Sequence, residues 1–356
     1  MSYAMNDNRN NIKYSFKNDY SEGAHPSILN SLIESNLEQT PGYGYDKYCE
    51  NAKNLLIKKL NNESVDIHFV PGGTQANLIV ISSILRPFES VIATGSGHIN
   101  VHETGAIEAT GHKVCAGKLR NDGKLRTTDI EEILKEHTDE HMVKPKMVYI
   151  SNSTEVGTIY TKEELKNIYD FCKKNDLYLF LDGARLGSAL CSEENDLTLE
   201  DLSKYTDVFY IGGTKNGALI GEAIIINNPQ LKKDFRYNIK QRGSLLAKGK
   251  ILGIQFVELF KENLFFDLAR HSNVMASQLN SGLRNLGIEF LNNSTTNQIF
   301  PIISNELLEK IQNFYDITYW SPIGDDKCCI RLCTSWATKE SAVEEFIEDV
   351  KLFLCK

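Results

Sequence analysis

A lysine directly follows a glycine-rich turn at the end of a predicted strand. Lys215 ends the run Gly212-Gly213-Thr214-Lys215, which follows the apolar segment Val208 to Ile211. Glycines at such a point allow a ligand to approach the backbone closely. A lysine amine placed there can form a Schiff base with a carbonyl compound. A phosphate-binding P-loop fails on spacing, because Lys215 is followed by Asn216 and has no glycine five residues before it. A solvated lysine in a plain turn is the non-functional alternative.

A carboxylate occupies a matching position after another predicted strand. Asp182 directly follows the apolar segment Leu177 to Leu181. Its separation from Lys215 leaves room for one helical crossover and a return strand, so both side chains are expected at the same edge of a sheet. An acid that keeps a pyridine nitrogen protonated, together with an imine-forming lysine, is the pair that a pyridoxal phosphate site needs. An ordinary helix N-cap aspartate is the alternative.

Two further segments could hold a flat, phosphorylated ligand. The turn Gly72-Gly73-Thr74 precedes a predicted helix, whose free N-terminal amides could bind phosphate through Gly73 and Thr74. His98 could stack on a flat cofactor. His98 and His102 share the spacing of a zinc pair, but the sequence is not His-Glu-x-x-His, so no metal site is predicted. A plain turn and an ordinary packed or surface histidine are the alternatives.

The elements that must position these residues alternate along the chain. Strand-like and helix-like patterns alternate from about residue 27 to residue 227, which predicts a mostly parallel sheet covered by helices. The clearest unit has an apolar strand over residues 147–150 and a capping box at Thr161 with Glu164. It continues as an amphipathic helix through Lys174. Ligands bind outside the carboxyl ends of the strands in such sheets.

The C-terminal part of the chain has a different pattern. A long helical stretch over about residues 245–287 precedes short strands near 298–303 and 328–334 and a final helix. This predicts a smaller α+β domain. The expected division is an N-terminal arm over residues 1–26, a large ligand-binding α/β domain over 27–244 and a small domain over 245–356.

Composition and charge exclude several classes of protein. The net charge of −8, with scattered Lys and Arg, gives no basic face for nucleic acid. The apolar runs are of strand length, too short to cross a membrane, and the first eleven residues carry no hydrophobic signal segment. Eight cysteines are too few for a disulfide scaffold in 356 residues, so a reduced, cytoplasmic setting is expected.

The combination of motifs resembles the low-specificity threonine aldolase branch of the β-eliminating lyase family over nearly the whole chain. The resemblance implies a fold-type-I, pyridoxal-phosphate-dependent transferase-like fold, with a large domain whose sheet is sandwiched by helices. Its motifs are Asn18-Asp19 with Gly23 and His25-Pro26, Tyr43-Gly44-Tyr45-Asp46, Gly73-Thr74 with Asn77, His98 with Glu103, Thr154 to Thr158, Asp182 to Arg185, Gly212 to Gly217, and Arg331 with Ser335-Trp336.

The resemblance also implies roles for the cofactor-binding residues. Lys215 would form the internal aldimine, and Asp182 would pair with the pyridine nitrogen. Gly73 and Thr74 would hold the phosphate, and His98 would stack on the ring.

The substrate carboxylate would be bound by Arg331 and by Arg185, which also lies in the cofactor site, because a bidentate guanidinium suits a carboxylate. Asn18 lies where the family often has a serine near that carboxylate. The chain departs from the pattern at Pro71-Gly72, and at residues 151–154, where another branch has a Glu-Asn-Thr-His run. A base histidine of that branch is therefore not matched here.

The implied reaction is retro-aldol cleavage of L-threonine or L-allo-threonine into glycine and acetaldehyde. His98, or a water held by His98 or His102, is the expected base. Another reaction of the same scaffold on a small amino acid, such as β-elimination or transamination, stays open. A homodimer or homotetramer is expected, with Tyr45, Lys240 and Arg242 as candidates for reaching a neighbouring subunit's site.

Overall fold

A computed structural model describes residues 12–355 of the chain. Its strands are β1 (Tyr14–Ser15), β2 (Asp66–Val70), β3 (Glu89–Ala93), β4 (Val114–Ala116), β5 (Lys144–Ser151), β6 (Tyr178–Asp182), β7 (Val208–Gly212), β8 (Glu222–Ile226), β9 (Glu289–Phe290), β10 (Gln298–Ile299), β11 (Pro301–Ser304), β12 (Tyr315–Asp316), β13 (Thr318–Ile323) and β14 (Lys327–Cys333). Its α-helices are α1 (Pro26–Glu34), α2 (Lys47–Leu60), α3 (Gly73–Ile84), α4 (His98–Val101), α5 (Thr127–Glu136), α6 (Lys162–Lys174), α7 (Leu186–Leu190), α8 (Leu199–Lys204), α9 (Phe235–Gln241), α10 (Lys250–Phe260), α11 (Leu264–Asn285), α12 (Asn305–Gln312) and α13 (Glu340–Leu354).

A seven-stranded sheet in the order β2-β8-β7-β6-β5-β3-β4 forms the centre of the large domain. The pairs from β7 through β6, β5 and β3 to β4 are parallel, whereas β8 runs antiparallel to both β2 and β7. The sheet is therefore mixed and mostly parallel. The expected capping box of α6 is present, since Thr161 and Glu164 bond each other's backbone N–H groups.

The central strands bury side chains on both faces of the sheet. In β6, Leu179 and Leu181 join one hydrophobic core, while Phe180 joins the core on the opposite face, which also contains residues of α3. This alternation follows from the two-residue period of a strand. Full burial on both faces explains why these strands read as continuous apolar runs in the sequence.

The small domain is built on an antiparallel sheet. Strand β14 pairs with β10, β11 and β13, and β11 also pairs with β9. Helices α11, α12 and α13 contribute to its hydrophobic core, which also contains Phe16 from the arm. The arm adds β1, which pairs in parallel with β12.

The prediction of one long helical stretch over residues 245–287 is wrong. The structure has α10 and α11 there, separated by residues 261–263. Phe256 and Phe260 of α10 pack in the core of the large domain, whereas Met275 and Leu279 of α11 pack in the small domain. We therefore propose that the division between the domains runs through α11. The part of the predicted arm over residues 1–11 lies outside the described residues.

Candidate active site

A cleft of about 980 Å³ lies at the carboxyl ends of β5, β6 and β7, beside the start of α3. This is the position expected for a ligand site in an open α/β sheet. The lining includes six of the residues singled out in the sequence, which are Gly73, Thr74, His98, Asp182, Arg185 and Lys215. The structure therefore brings most of the predicted site together in one place.

Asp182 is buried at the end of β6 and accepts hydrogen bonds from four groups. The Tyr149 hydroxyl (2.5 Å) and the Asn77 amide (3.1 Å) donate to Oδ2. The Tyr210 hydroxyl (2.5 Å) and the Ala184 backbone N–H (2.9 Å) donate to Oδ1. Burial would raise the pKa of Asp182, but the charge of His98 and the two tyrosine hydrogen bonds outweigh it, so the pKa lies below its ordinary value. Asp182 is thus held as a carboxylate.

Lys215 lies in the turn after β7 and lines the same cleft. Burial and the nearby Arg185 guanidinium lower the pKa of its amine, against the raising effect of Asp19, Asp182 and Glu222. Its Nζ lies 5.9 Å from the centre of the Tyr20 ring. A lowered amine pKa increases the fraction of neutral, nucleophilic lysine at physiological pH.

Helix α3 presents an uncapped N-terminus to the cleft. Its N-cap residue, Gly72, supplies no side-chain hydrogen bond, so the backbone N–H groups of the first turn are not satisfied by a cap. Gly72, Gly73 and Thr74 all line the cleft. The absence of a side chain at Gly73 also matters, because a Cβ there would lie 3.1 Å from the Tyr210 hydroxyl oxygen. The turn can therefore accept an anion against its backbone.

His98 is connected to Asp182 through buried side chains. His98 Nδ1 lies 2.8 Å from Glu103 Oε1. The Asn77 side-chain amide donates to the same oxygen (2.8 Å) and also to Asp182. Because a carboxylate only accepts, the contact with Glu103 requires a hydrogen on Nδ1, and in the neutral ring Nε2 is then the acceptor. The neighbouring ring of His102 has a centroid 5.5 Å away, and burial, then the charge of His98, lowers the pKa of His102.

Arg185 is held by a residue of the N-terminal arm. Its Nε and Nη2 donate to the two carboxylate oxygens of Asp19 at 2.6 and 2.9 Å. Asp19 is 1% exposed and also accepts a hydrogen bond from the Asn297 amide. Because Arg185 also lines the cleft, this pair fixes a guanidinium at the site.

Two residues predicted at the substrate carboxylate lie outside the lining of the cleft. Arg331, on β14, donates to the backbone carbonyl of Lys17 (3.1 Å). Asn18 accepts hydrogen bonds from the Tyr20 backbone N–H and the Ser21 hydroxyl, both at 3.0 Å. Both therefore contact the arm segment whose Tyr20 lines the cleft, and their roles stay predictions.

The residues predicted to reach a neighbouring subunit lie apart from the cleft. Tyr45 and Lys240 line a shallow surface depression of about 910 Å³. The Arg236 guanidinium lies 4.3 Å from the centre of the Tyr45 ring. Arg242 follows Lys240 by two residues in the sequence, and its Nε is buried without a hydrogen-bond partner.

Two carboxyl groups that line the cleft were given no role from the sequence. Glu155 follows β5 and accepts hydrogen bonds from the His98 backbone N–H (3.0 Å) and the Ser151 hydroxyl (2.7 Å). Glu222 is the first residue of β8 and accepts one from the Gly213 backbone N–H (3.0 Å). Burial raises the pKa of both carboxyl groups, that of Glu222 to about 8. Glu155 stands in the motif Thr154 to Thr158, after a predicted strand, whereas Glu222 was detectable only as a polar residue beside an apolar strand.

The residues present fit pyridoxal phosphate. The cleft combines a lysine of lowered pKa, an aspartate of lowered pKa and an uncapped helix N-terminus. These are the partners that an aldehyde, a pyridine nitrogen and a phosphate require.

Comparison with known proteins agrees with this chemistry. The family model described as beta-eliminating lyase matches residues 27–306. The chain belongs to the beta-eliminating lyase family. Within this lyase, the match spans the whole seven-stranded sheet and both the Asp182 and Lys215 turns.

The relatives of this lyase include proteins named low specificity L-threonine aldolase. One from Pseudomonas sp. is 32% identical over 94% of this chain and 96% of its own length. Another, from Pseudomonas aeruginosa, is 29% identical over 95% of this chain and 97% of its own length.

Solved structures confirm the fold class expected for this lyase. A threonine aldolase of Leishmania major superposes with a TM-score of 0.94 at 54% identity, covering 96% of this chain and 99% of that one. An aspartate aminotransferase of Thermus thermophilus superposes with a TM-score of 0.72 at 12% identity, covering 96% and 92%, which shows the shared fold alone.

Proposed function

We propose that this chain is a pyridoxal-phosphate-dependent aldehyde-lyase that cleaves L-threonine, L-allo-threonine and related 3-hydroxy amino acids. Threonine would give glycine and acetaldehyde. The observation that carries the proposal is that Lys215, Asp182 and the uncapped start of α3 converge on one cleft. Similarity to threonine aldolases over nearly the full chain supports the choice of substrate.

Four parts of the cleft would hold the cofactor. Lys215 would be the covalent attachment point, and Asp182 would pair with the pyridine nitrogen. Gly73 and Thr74 would bind the phosphate, and His98 would lie against the ring. When bound, pyridoxal phosphate supplies an electron sink for the bond that breaks in the amino acid.

The side chains of the cleft then position the substrate and move its proton. Arg185, fixed by Asp19, binds the α-carboxylate, and Arg331 and Asn18 extend this site from the edge of the arm. His98 accepts the proton of the 3-hydroxyl at Nε2, directly or through a water shared with His102. Glu103 stabilises the resulting imidazolium, since its carboxylate contacts Nδ1.

The test combines absorbance spectra with product assays. Wild-type protein mixed with pyridoxal phosphate is expected to develop an absorbance band near the visible edge and to release acetaldehyde from L-threonine. Lys215→Ala should lose both, whereas Lys204→Ala, at an exposed i,i+4 ion pair, should keep both. Normal turnover by Lys215→Ala would refute the assignment. A spectral change with glycine but no acetaldehyde would favour β-elimination or transamination, which no feature of the cleft favours.

We propose that the lyase is a homodimer or homotetramer in which Tyr45, Lys240 and Arg242 approach a neighbouring subunit. Three exposed tyrosines support this, because they cluster with Lys240 on one surface; they are Tyr43, Tyr45 and Tyr237. Light scattering should give a mass of two or four chains, and Tyr45→Ala should weaken the assembly. A fully active monomer would contradict the proposal.

We place the protein in the cytoplasm. All eight cysteines are unpaired and most are buried, as is typical of a reducing compartment. Within residues 12–355, no helix is both long and apolar enough to cross a membrane. Localisation of the tagged full chain tests the placement, and a secreted, disulfide-bonded product would contradict it.

A further inference from the structure

Glu222 is a buried acid of the cleft that the proposed reaction leaves unused. It is 4% exposed, and its Oε2 accepts a hydrogen bond from the Gly213 backbone N–H at 3.0 Å. A carboxyl group removed from water is costly to ionise unless a charge nearby compensates. Packing alone therefore does not explain why residue 222 carries a carboxyl group.

The sheet register directs Glu222 towards the turn that carries Lys215. Glu222 pairs with Gly212 of β7 on one side and with Val70 of β2 on the other. Those two strands lead directly into the Lys215 turn and the Gly72-Gly73 turn. Glu222 and Lys215 both line the cleft. Ile224, two residues further along β8, packs in the same core as Tyr210, so Glu222 lies on the sheet face that carries α3.

Several charged groups face Lys215 from the elements packed around it. The Arg185 guanidinium lowers the pKa of its amine, while Asp19 and Asp182 raise it. Glu222 raises it as well, and Lys215 in turn lowers the pKa of Glu222. Two tyrosine hydroxyls belong to the same cleft. They are those of Tyr20, whose ring centre lies 5.9 Å from the amine, and of Tyr210, which donates to Asp182.

Burial acts on Glu222 and Lys215 in opposite directions. It raises the pKa of the acid to about 8 and lowers that of the amine. The two pKa values are therefore brought closer together, and the ionisation of each group depends on that of the other.

We propose that Glu222 is the proton partner of Lys215 and governs whether the amine is free to react. The inference rests on the proposed role of Lys215 as the attachment lysine. Both side chains line the same cleft without a direct hydrogen bond between them, so the transfer runs through water in the cleft. A proton leaves the ammonium nitrogen as its N–H bond breaks, and a proton binds the Glu222 carboxylate as an O–H bond forms, so both groups become neutral. The reverse transfer restores both charges. Glu222 acts through Lys215 and is a positioning residue.

Competitive acetylation of the full-length, cofactor-free protein tests the coupling. Acetic anhydride is applied across a pH series, and mass spectrometry reads the labelling of Lys215, which gives the titration of its amine. Glu222→Gln keeps the size of the side chain and an acceptor for Gly213 but removes the charge. The Lys215 titration should move down by about one pH unit, which makes the free amine about tenfold more abundant at neutral pH.

Glu89→Gln is the matched control. Glu89 is also the first residue of a sheet strand, is 7% exposed, and accepts a hydrogen bond from a backbone N–H, that of Arg86, at 2.8 Å. It does not line the cleft. The Lys215 titration should therefore be the same in this variant as in the wild type.

The reciprocal measurement does not depend on the folding of Glu222→Gln. Lys215→Met should raise the titration of Glu222, followed by carbon NMR of labelled glutamate, because coupling between two sites is mutual. A structural role alone would lower the melting temperature of Glu222→Gln without moving the Lys215 titration. Superimposable Lys215 titrations in wild type and Glu222→Gln, or an unchanged Glu222 titration in Lys215→Met, would overturn the inference.

A separate readout distinguishes this failure from failure of the proposed function. If Lys215→Ala still develops the cofactor absorbance band, the attachment role of Lys215 is wrong. If that band is lost but Glu222→Gln leaves the Lys215 titration unchanged, only the role of Glu222 is wrong.

Discussion

Replacing Asp19 by Asn should destabilise the protein by a pH-dependent amount. Burial would raise the pKa of Asp19, but the charges of Arg185 and Lys215, and hydrogen bonds from Arg185 and Asn297, lower it from 3.8 to about 2. A difference of that size corresponds to about 2 kcal/mol of folding stability at neutral pH. Arg185 would also lose its buried counter-ion. The loss in free energy of unfolding should therefore approach the ~3–5 kcal/mol that is typical when one partner of a buried ion pair is removed.

The sign of the pH dependence follows from the lowered pKa. The ionised form of Asp19 stabilises the folded state, so its contribution is complete above the unfolded pKa of 3.8 and is lost as the pH falls towards about 2. Urea unfolding of wild type and Asp19→Asn should therefore differ most at about pH 7 and pH 5. The difference should narrow below about pH 4.

An exposed ion pair provides the control for Asp19→Asn. Asp170 pairs with Lys166 on α6, and both side chains are about half exposed. Asp170→Asn should cost less than about 0.5 kcal/mol, since exposed pairs contribute little. Equal urea midpoints for wild type and Asp19→Asn at neutral pH would refute the reasoning, as would a difference that stays constant down to the acid limit.

Three further substitutions test the site. Tyr149→Phe removes a donor 2.5 Å from the Asp182 carboxylate, so the free energy of unfolding should fall by about 1.5–3 kcal/mol in urea titrations; an unchanged value would contradict the charge-assisted bond. Gly183→Ala should prevent correct folding or expression, because its Cβ would overlap the Tyr210 carbonyl oxygen; a normal melting curve would be contrary evidence. Thr74→Val should weaken pyridoxal phosphate binding about tenfold in absorbance titrations, and unchanged affinity would remove Thr74 from the phosphate site.

The central sheet was predictable because its strands are buried on both faces. Continuous apolar runs that end in Asp182 or in the Gly212-Gly213 turn marked the strand ends, and the ligand site of an open sheet lies at those ends. Strand β6 runs from Tyr178 to Asp182, one residue later at each end than the predicted segment Leu177 to Leu181. The end of each predicted strand was therefore sufficient to single out Asp182 and Lys215 as candidates.

The residues that depend on pairing between strands were not predictable. Tyr149 and Tyr210 read as members of apolar strands, and only the register of three neighbouring strands brings their hydroxyls to Asp182. Glu222 read as the polar start of a strand for the same reason. A local pattern carries no information on which residues of different strands lie side by side.

The contribution of the N-terminal arm to the cleft was also not predicted in full from the sequence. The arm was set apart from the large domain, yet Asp19 holds Arg185 at a separation of 166 positions and Tyr20 lines the cleft. Its local signals were Asn18-Asp19, Gly23 and His25-Pro26, which carried the resemblance but indicated no partner for Asp19. The arm belongs functionally to the cleft because it supplies the charge that fixes the guanidinium.

Carboxyl groups at one end of the sheet have pKa values that are shifted in opposite directions. Burial would raise the pKa of Asp182, but the charge of His98 and the hydrogen bonds that the carboxylate accepts lower it. Glu155 and Glu222 are also buried, and there the effect of burial prevails, so their pKa values are raised. Divergent pKa values within a site separate the group that holds a fixed charge from those that can exchange protons. Asp182 therefore suits a permanent counter-ion to a pyridinium, and Glu222 suits proton exchange with Lys215.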